Sequence, residues 1–396
     1  MIMKQTLLLL ALALPAHAEL LATFHTSRGN VTVSLQFDKT PQTVANFITL
    51  AQSTRTRIDP ATGAVIRKPL YAGEKFFRVV NDPFSGQYAQ TGSGTGNQTG
   101  APGYAIRDEF DPALRHDTYV LSMANAGQPH TNGSQIFLTG GIPIPEFDDT
   151  YTVFGKITAT ASQTVLDAIM SAGSNGTTIN SVSFQRTSPA AVAFNEHAQK
   201  LPVCSAFSGK LEVTPGVECI YHTNAFLPAG SVFQGYRSLN LQTWGRLGQI
   251  YQGSGSGGDV DRFILDGAEN ARAFYNISLV TYPDALAPAS FAGRTLDMGL
   301  FTSDVMRFVF NATGQTGVFT FTANPSANPF FELLSYTATP YRAELIIDTI
   351  TYGRLKFDCV FDSENTTKVV GRNISSQLQG GNYVGLSNGG VELSKP

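Results

Sequence analysis

Charge is scarce in this 396-residue chain: Asp, Glu, Lys and Arg make up only 14% of it, the net charge is −3, and no block of Lys and Arg occurs. A nucleic-acid surface needs clustered cations, so no nucleic-acid partner is expected. Cysteine is scarce too. Cys204, Cys219 and Cys359 are the only three, and no Cys/His set has metal-site spacing, so neither a metal nor another cofactor is expected. Beyond the N-terminal stretch, no apolar run is long enough to cross a bilayer. The tract Gly253 to Gly258 lacks the Lys and the strand–helix setting of a phosphate loop and reads as a plain connector. What is present is 42% hydrophobic residues and 38 Gly: enough apolar surface to exclude wholesale disorder, in a turn-rich texture that favours β structure.

The length suggests two or three domains. Residues 1–18 read as a secretory signal peptide: Lys4 gives the positive start, Thr6 to Pro15 the short apolar core, and Ala16-His17-Ala18 the small–x–small cleavage pattern before Glu19. An exported product, periplasmic or extracellular, with no membrane span after removal of this segment, is expected.

Residues 19–186 form the first folded unit. Ala22 to Phe37 alternates apolar and polar residues around Ser27-Arg28-Gly29-Asn30, the pattern of a β-hairpin. Thr40-Pro41 opens a helix with Val44, Phe47, Ile48 and Ala51 on one face. Short strands follow to about Ile157. A second helix runs from about Ser162 to Ser171 over Val165, Leu166 and Ile169, and Ile179 to Arg186 is a closing strand. Two helices among many short strands point to a closed β-barrel with helical lids, because an open sheet would leave edges exposed. Residues 187–203 read as a linker with a short helix from Ala190 to Lys200. Residues 204–396 are β-rich, a barrel or sandwich whose strands include Met306 to Phe310, Val318 to Thr322, Ala343 to Thr349 and Leu355 to Phe361, with a division into two subdomains near Ser290. An oxidising compartment permits a Cys204–Cys219 bridge, worth roughly 3 kcal/mol. Alternation places Cys359 with Leu355, Phe357 and Phe361 on one face, the pattern of a buried thiol.

Four ordered motifs carry chemistry. Phe76-Phe77-Arg78-Val79-Val80 is followed by Gln90-Thr91-Gly92-Ser93-Gly94-Thr95-Gly96. Then come Ser122-Met123-Ala124-Asn125-Ala126-Gly127 with Thr131-Asn132-Gly133-Ser134-Gln135-Ile136-Phe137, and finally Val153-Phe154-Gly155-Lys156. In this order they resemble the cyclophilin-type peptidyl-prolyl cis–trans isomerases, over residues of about 20–186 and not beyond. The resemblance implies a closed eight-stranded β-barrel with two capping helices, and proline-containing polypeptides as substrates in protein folding. It implies that Arg78 addresses the prolyl nitrogen and that Gln90 bonds the substrate backbone. It makes Phe137 the floor of a proline pocket walled by Tyr88 and Phe147, with the Asn125 backbone pairing with substrate, Gln135 bordering the next subsite, and Tyr151 standing where the family often has His.

The chain also departs from the family. Phe77 replaces the His beside the catalytic Arg, Glu146-Phe147 stand where eukaryotic members carry Trp, and Asn81 to Gly86 is longer than the usual turn. Gln87 falls where the family has a pocket Phe, and Phe84 is the other candidate for that place. His116 and His130 have no partner at ligand spacing and read as surface loop residues, and Trp244 reads as core. Two functions are compatible with these residues: an active isomerase, favoured by Arg78, and a proline-peptide binding module with little turnover, favoured by Gln87, with the C-terminal region binding a partner or ligand.

Overall fold

The computed structural model of the chain describes residues 19–84, 86–206, 210–214, 218–222, 231–252, 262–266, 273–288, 290–299, 305–321, 329–349, 352–364, 368–379 and 382–394. The expected signal peptide and the Gly253 to Gly258 connector lie outside these residues.

The opening hairpin pairs Leu20–Thr26 (β1) with Gly29–Leu35 (β2). Leu20, Ala22, Phe24, Val31, Val33 and Leu35 alternate into the core with at most 1% of their surface exposed. Gly29 sits at φ +124°, where its missing Cβ would stand 3.0 Å from Val165. The first helix, Pro41–Gln52 (α1), buries Val44, Phe47, Ile48 and Ala51 as its periodicity implies. Its cap differs from expectation. The Thr40 hydroxyl donates to the Gln36 carbonyl, and the Glu109 carboxylate accepts the amides of Gln42 (3.1 Å) and Thr43 (2.7 Å). A carboxylate at a helix N-terminus also meets the positive end of the dipole.

The remaining strands of this half are Arg57–Ile58 (β3), Val65–Ile66 (β4), Arg78–Asp82 (β5), Gly86–Thr91 (β6), Val120–Met123 (β7), Ile136–Thr139 (β8), Val153–Lys156 (β9) and, after helix Thr160–Ala172 (α2), Ile179–Arg186 (β10). Six of them join β1 and β2 in one antiparallel sheet in the order β10-β1-β2-β9-β7-β8-β6-β5, and β3 pairs with β4. The two ends of the curled sheet meet through the residues before β5: Gly73 donates to Ile179 O, Ile179 to Glu74 O and Phe76 to Thr177 O, with a bridge between Lys75 and Thr178. α2 lies against β2, β5 and β6, and α1 against β10. Inside, Phe47 is packed by Phe24, Tyr71, Phe154 and Phe184 at centroid distances of 5.1–5.7 Å.

The helix expected over 190–200 is instead a five-residue helix, Pro189–Ala193 (α3), capped by the Ser188 hydroxyl, and a 3-10 turn at Glu196–Ala198. Beyond it, Val203–Ala206 (β11), Ser231–Ser238 (β14), Trp244–Gln252 (β15) and Phe274–Thr281 (β17) form a sheet in the order β11-β17-β14-β15. Lys210–Thr214 (β12), Glu218–His222 (β13) and Arg262–Asp266 (β16) form a second. The last eight strands close a barrel: Thr295–Gly299 (β18), Val305–Phe310 (β19), Thr316–Phe321 (β20), Phe330–Thr339 (β21), Arg342–Thr349 (β22), Gly353–Glu364 (β23), Lys368–Gln379 (β24) and Asn382–Ser394 (β25). Closure comes from β18 on β25, with Leu296 opposite Leu393 and Met298 opposite Val391.

Leu355, Phe357, Cys359 and Phe361 all face the interior, and Cys359 is a buried free thiol whose pKa burial raises to about 12. The Cys204–Cys219 bridge is not formed. Cys204 is a free thiol opposite Val280, in a core shared with Ile58 and Tyr104, and burial pushes its pKa up to about 12; Cys219 belongs to β13, in a different sheet.

The two halves meet over a built junction. Ala45, Ile58, Tyr104 and Ile106 of the first half share one core with Val232, Tyr236, Val280 and Tyr282 of the second. Asp284, its side chain 3% exposed, accepts from Gln42 (2.8 Å), Arg107 (3.2 Å) and Tyr341 (2.8 Å). Arg55 donates to the carbonyls of Leu201 and Pro202, both at 2.7 Å.

Candidate functional site

The site lies on strands β5, β6 and β8 and on the loops beside them. Register puts Arg78 opposite Gln90, and Gln90 opposite Phe137, so three of the sequence motifs converge in one row. Side chains alternate along a strand. Tyr88 and Gln90 therefore share one face of β6, and Gln87 points away from it.

Arg78 is exposed, with its guanidinium carbon 5.2 Å from the centroid of the Tyr88 ring. A cation over an aromatic face is held there electrostatically. Tyr88, largely buried, has a pKa raised by desolvation against the opposing pull of Arg78. Gln90 donates through Nε2 to Gln135 Oε1 (2.8 Å), and Gln135 donates to the carbonyls of Gln98 (2.8 Å) and Gly100 (2.7 Å). This relay fixes both amides before any ligand arrives.

Beside Arg78 stands an aromatic cluster. Tyr88, Phe137 and Ile144 are buried, and Phe147 and Tyr151 pack half-exposed against them. Phe137 lies 5.7 Å from Tyr88, 5.8 Å from Phe147 and 5.7 Å from Tyr151, all edge to face. Asn125 enters from the end of β7. Its side chain donates to Thr150 O (2.9 Å) and accepts from the Gly127 amide (3.0 Å), while its own backbone groups make no hydrogen bond among the described residues. A strand-like partner could pair with that backbone.

Neither Phe84 nor Gln87 belongs to the cluster. Phe84 is 97% exposed. Gln87 donates to Asn81 (2.8 Å), accepts from the Gly141 amide (3.1 Å) and packs on Gly140, where a Cβ would stand 2.7 Å away.

Both histidines read as surface residues are buried. His116, 1% exposed, stacks beneath Phe137 at 5.8 Å and 13°. Its Nδ1 meets Asp148 at 2.9 Å and its Nε2 meets the Ser122 hydroxyl at 2.9 Å. Burial lowers its pKa, with Asp148 opposing, so the neutral ring donates to Asp148 and accepts from Ser122. No local pattern could disclose this, since Asp148 lies 32 residues away. His130 is buried at the junction between Asp108 (3.3 Å) and Asp362 (3.0 Å). Burial and the Asp108 amide at 3.1 Å favour its neutral form, but the two carboxylates outweigh them and raise its pKa. Trp244 packs against the core and is half-exposed. Among the described residues no group of His, Cys, Asp and Glu could hold a metal. Nor is any helix there long and apolar enough to cross a membrane.

Comparison with known proteins covers this half. A family profile described as "Cyclophilin type peptidyl-prolyl cis-trans isomerase/CLD" matches residues 21–187, and no family matches the C-terminal region. The probable peptidyl-prolyl cis-trans isomerase A of Mycobacterium leprae is 43% identical over 156 residues, which are 39% of this chain and 82% of that protein. The peptidyl-prolyl cis-trans isomerase B of Streptomyces anulatus is 42% identical over 158 residues, covering 40% of this chain and 87% of that protein. The crystal structure of a Cryptosporidium parvum cyclophilin, determined in the presence of the dipeptide Ala-Pro, aligns with 42% of this chain and 99% of that one at 23% identity and a TM-score of 0.34.

Proposed function

The chain belongs to the cyclophilin-type peptidyl-prolyl cis–trans isomerase family and rotates Xaa–Pro bonds; from that premise we propose that Arg78 and the aromatic cluster around Phe137 perform the rotation, on proline-containing polypeptides outside the cytoplasm. The observation that carries the assignment is the placement of the Arg78 guanidinium over Tyr88, beside the fixed Gln90–Gln135 pair.

An Xaa–Pro amide resists rotation because the nitrogen shares its lone pair with the carbonyl, and the barrier to peptide rotation is about 18–20 kcal/mol. As the bond twists, the lone pair returns to nitrogen. A guanidinium aimed at that nitrogen gains most at the twisted geometry, so it stabilises the transition state more than the ground state. The proline ring lies against Phe137, Tyr88 and Phe147. Gln90 and the Asn125 backbone hold the chain on either side of the bond, and Gln135 borders the neighbouring subsite. The Tyr151 hydroxyl is a donor for a substrate carbonyl. Beneath them His116 acts as a positioning residue, holding Phe137 from below through Asp148 and Ser122. No nucleophile takes part in this reaction.

The second reading, binding with little turnover, is separated by exchange NMR on a short Ala-Pro peptide. Catalytic amounts of protein should broaden or exchange-couple the cis and trans signals; saturable binding without accelerated exchange would establish the binding module instead. Export is supported by the positive start, short apolar core and Ala16-His17-Ala18 pattern. N-terminal sequencing of the mature protein should begin at Glu19, and recovery of a chain still carrying residues 1–18 in the cytoplasmic fraction would refute it.

A further inference from the structure

A cavity of about 760 Å³ runs from Arg78, Gln90 and Gln135 out to residues of the C-terminal half, among them Tyr236, Trp244, Arg246 and Arg342. Its size is that of a site for a ligand of several residues rather than a single proline. Its charge is one-sided among the described residues: Arg78, Arg246 and Arg342 line it, and no described Asp or Glu does. Arg246 is exposed, and among the described residues neither it nor Arg342 is ion-paired with a carboxylate.

The far wall is rigidly tied to the catalytic half. The Gln234 amide donates to Gly103 O, Asn276 donates to Thr62 O (2.8 Å), and the Tyr282 hydroxyl accepts from the Ala105 amide (3.3 Å). Gly63 approaches Tyr236 so closely that a Cβ there would stand 2.1 Å from the ring. Arg342 donates to Gln128 (2.8 Å), beside the Asn125 loop. A wall held this way presents Trp244 and Arg246 at a fixed position relative to Arg78.

We propose that the C-terminal half completes the substrate groove, and that Arg246 and Arg342 select polypeptides carrying an acidic residue near the Xaa–Pro bond. The proposal rests on the isomerase reading of Arg78 and deepens it. Continuity of the cavity with the catalytic row identifies the occupant as the substrate chain, and the cationic lining identifies its complement as a carboxylate. Trp244, half-exposed, offers a face for the intervening residues.

The test uses the full chain and Xaa-Pro peptides in which Glu, Gln or Lys is scanned through the positions on both sides of the bond. At one or two positions Glu should raise kcat/KM about fivefold over Gln, through KM, as expected for an ion pair at the groove. Added salt should shrink that advantage. Arg246→Glu should reverse the order of Glu and Lys peptides, and Arg246→Gln should bring the ratio of Glu to Gln peptides to about one. Equal kcat/KM for all three residues at every position, with the neutral peptide turned over, would overturn the proposal and leave the isomerase reading standing. Failure to turn over the neutral peptide would instead count against that reading. Trp244, the chain's single Trp, then decides the proposal separately: its emission should respond to the Glu peptide at lower concentration than to the Lys peptide, and equal or absent responses would overturn it.

Discussion

Beneath β1 and β9 the first sheet is filled by Phe24, Phe47 and Phe154; inside the last eight strands Phe308, Phe319, Phe331, Phe357 and Phe361 do the same work. The two curled sheets differ in what lies outside that filling. The first carries a second cluster on another face, Tyr88, Phe137, Phe147 and Tyr151, where rings meet Arg78, Gln90 and Gln135. In the barrel Phe308 packs in the interior at 5.6, 5.1 and 5.5 Å from Phe319, Phe331 and Phe357. Among the described residues the barrel interior is packed by these rings, and the contribution proposed for the C-terminal half falls at its contact with the first half. Closing a sheet supplies stability; a site needs polar groups fixed on a surface outside it.

The comparison breaks first at the barrel core. Phe357→Ala should cost about 3–5 kcal/mol in chemical denaturation while leaving kcat/KM on a neutral Ala-Pro peptide within twofold wherever the protein stays folded. A parallel fall in activity would mean the barrel is coupled to the chemistry. Asp284→Ala tests the junction. Removing one member of a buried charged network costs about 3–5 kcal/mol, so the unfolding midpoint should drop clearly; a change smaller than about 0.5 kcal/mol would make the halves independent bodies.

Smaller effects separate the two histidines. For His116 the folded pKa is lowered, so its contribution is fully present above the ordinary value of 6.5 and lost as pH falls through the folded value. For His130 the folded pKa is raised, so its contribution is fully present below 6.5 and lost as pH rises through the folded value. Urea midpoints of wild type, His116→Gln and His130→Gln across this range should show the two variants changing opposite limbs of the profile; both changing the same limb would contradict the assigned protonation states. The smallest effect is chemical. The thiols of Cys204 and Cys359, both buried and raised to about 12, should resist a thiol reagent in the native protein and react on unfolding without reductant. Rapid native reaction at either would contradict its burial.

The row proposed as catalytic was legible through the four ordered motifs that resemble the cyclophilin family, and strand pairing then brings their members together. Arg78, Gln90 and Phe137 become neighbours through strand register alone. The closing strand Ile179–Arg186 was legible from its alternation, and the α1 face from its 3.6-residue spacing. His116 was not, because its partner Asp148 arrives from a distant loop and nothing local marks the contact. The Glu109 cap on α1 is equally non-local, and the free state of Cys204 follows from which sheet each cysteine joins rather than from their spacing.

The most direct measurement compares kcat/KM of wild type and Arg78→Ala on the same neutral Ala-Pro peptide, with circular dichroism confirming that both are folded. A charge-assisted contact is worth about 1.5–3 kcal/mol, and each 1.4 kcal/mol is about tenfold. The expected result is a loss of roughly one to two orders of magnitude, carried by kcat rather than KM. A folded Arg78→Ala variant with wild-type kcat would contradict the assignment of the rotation to this guanidinium.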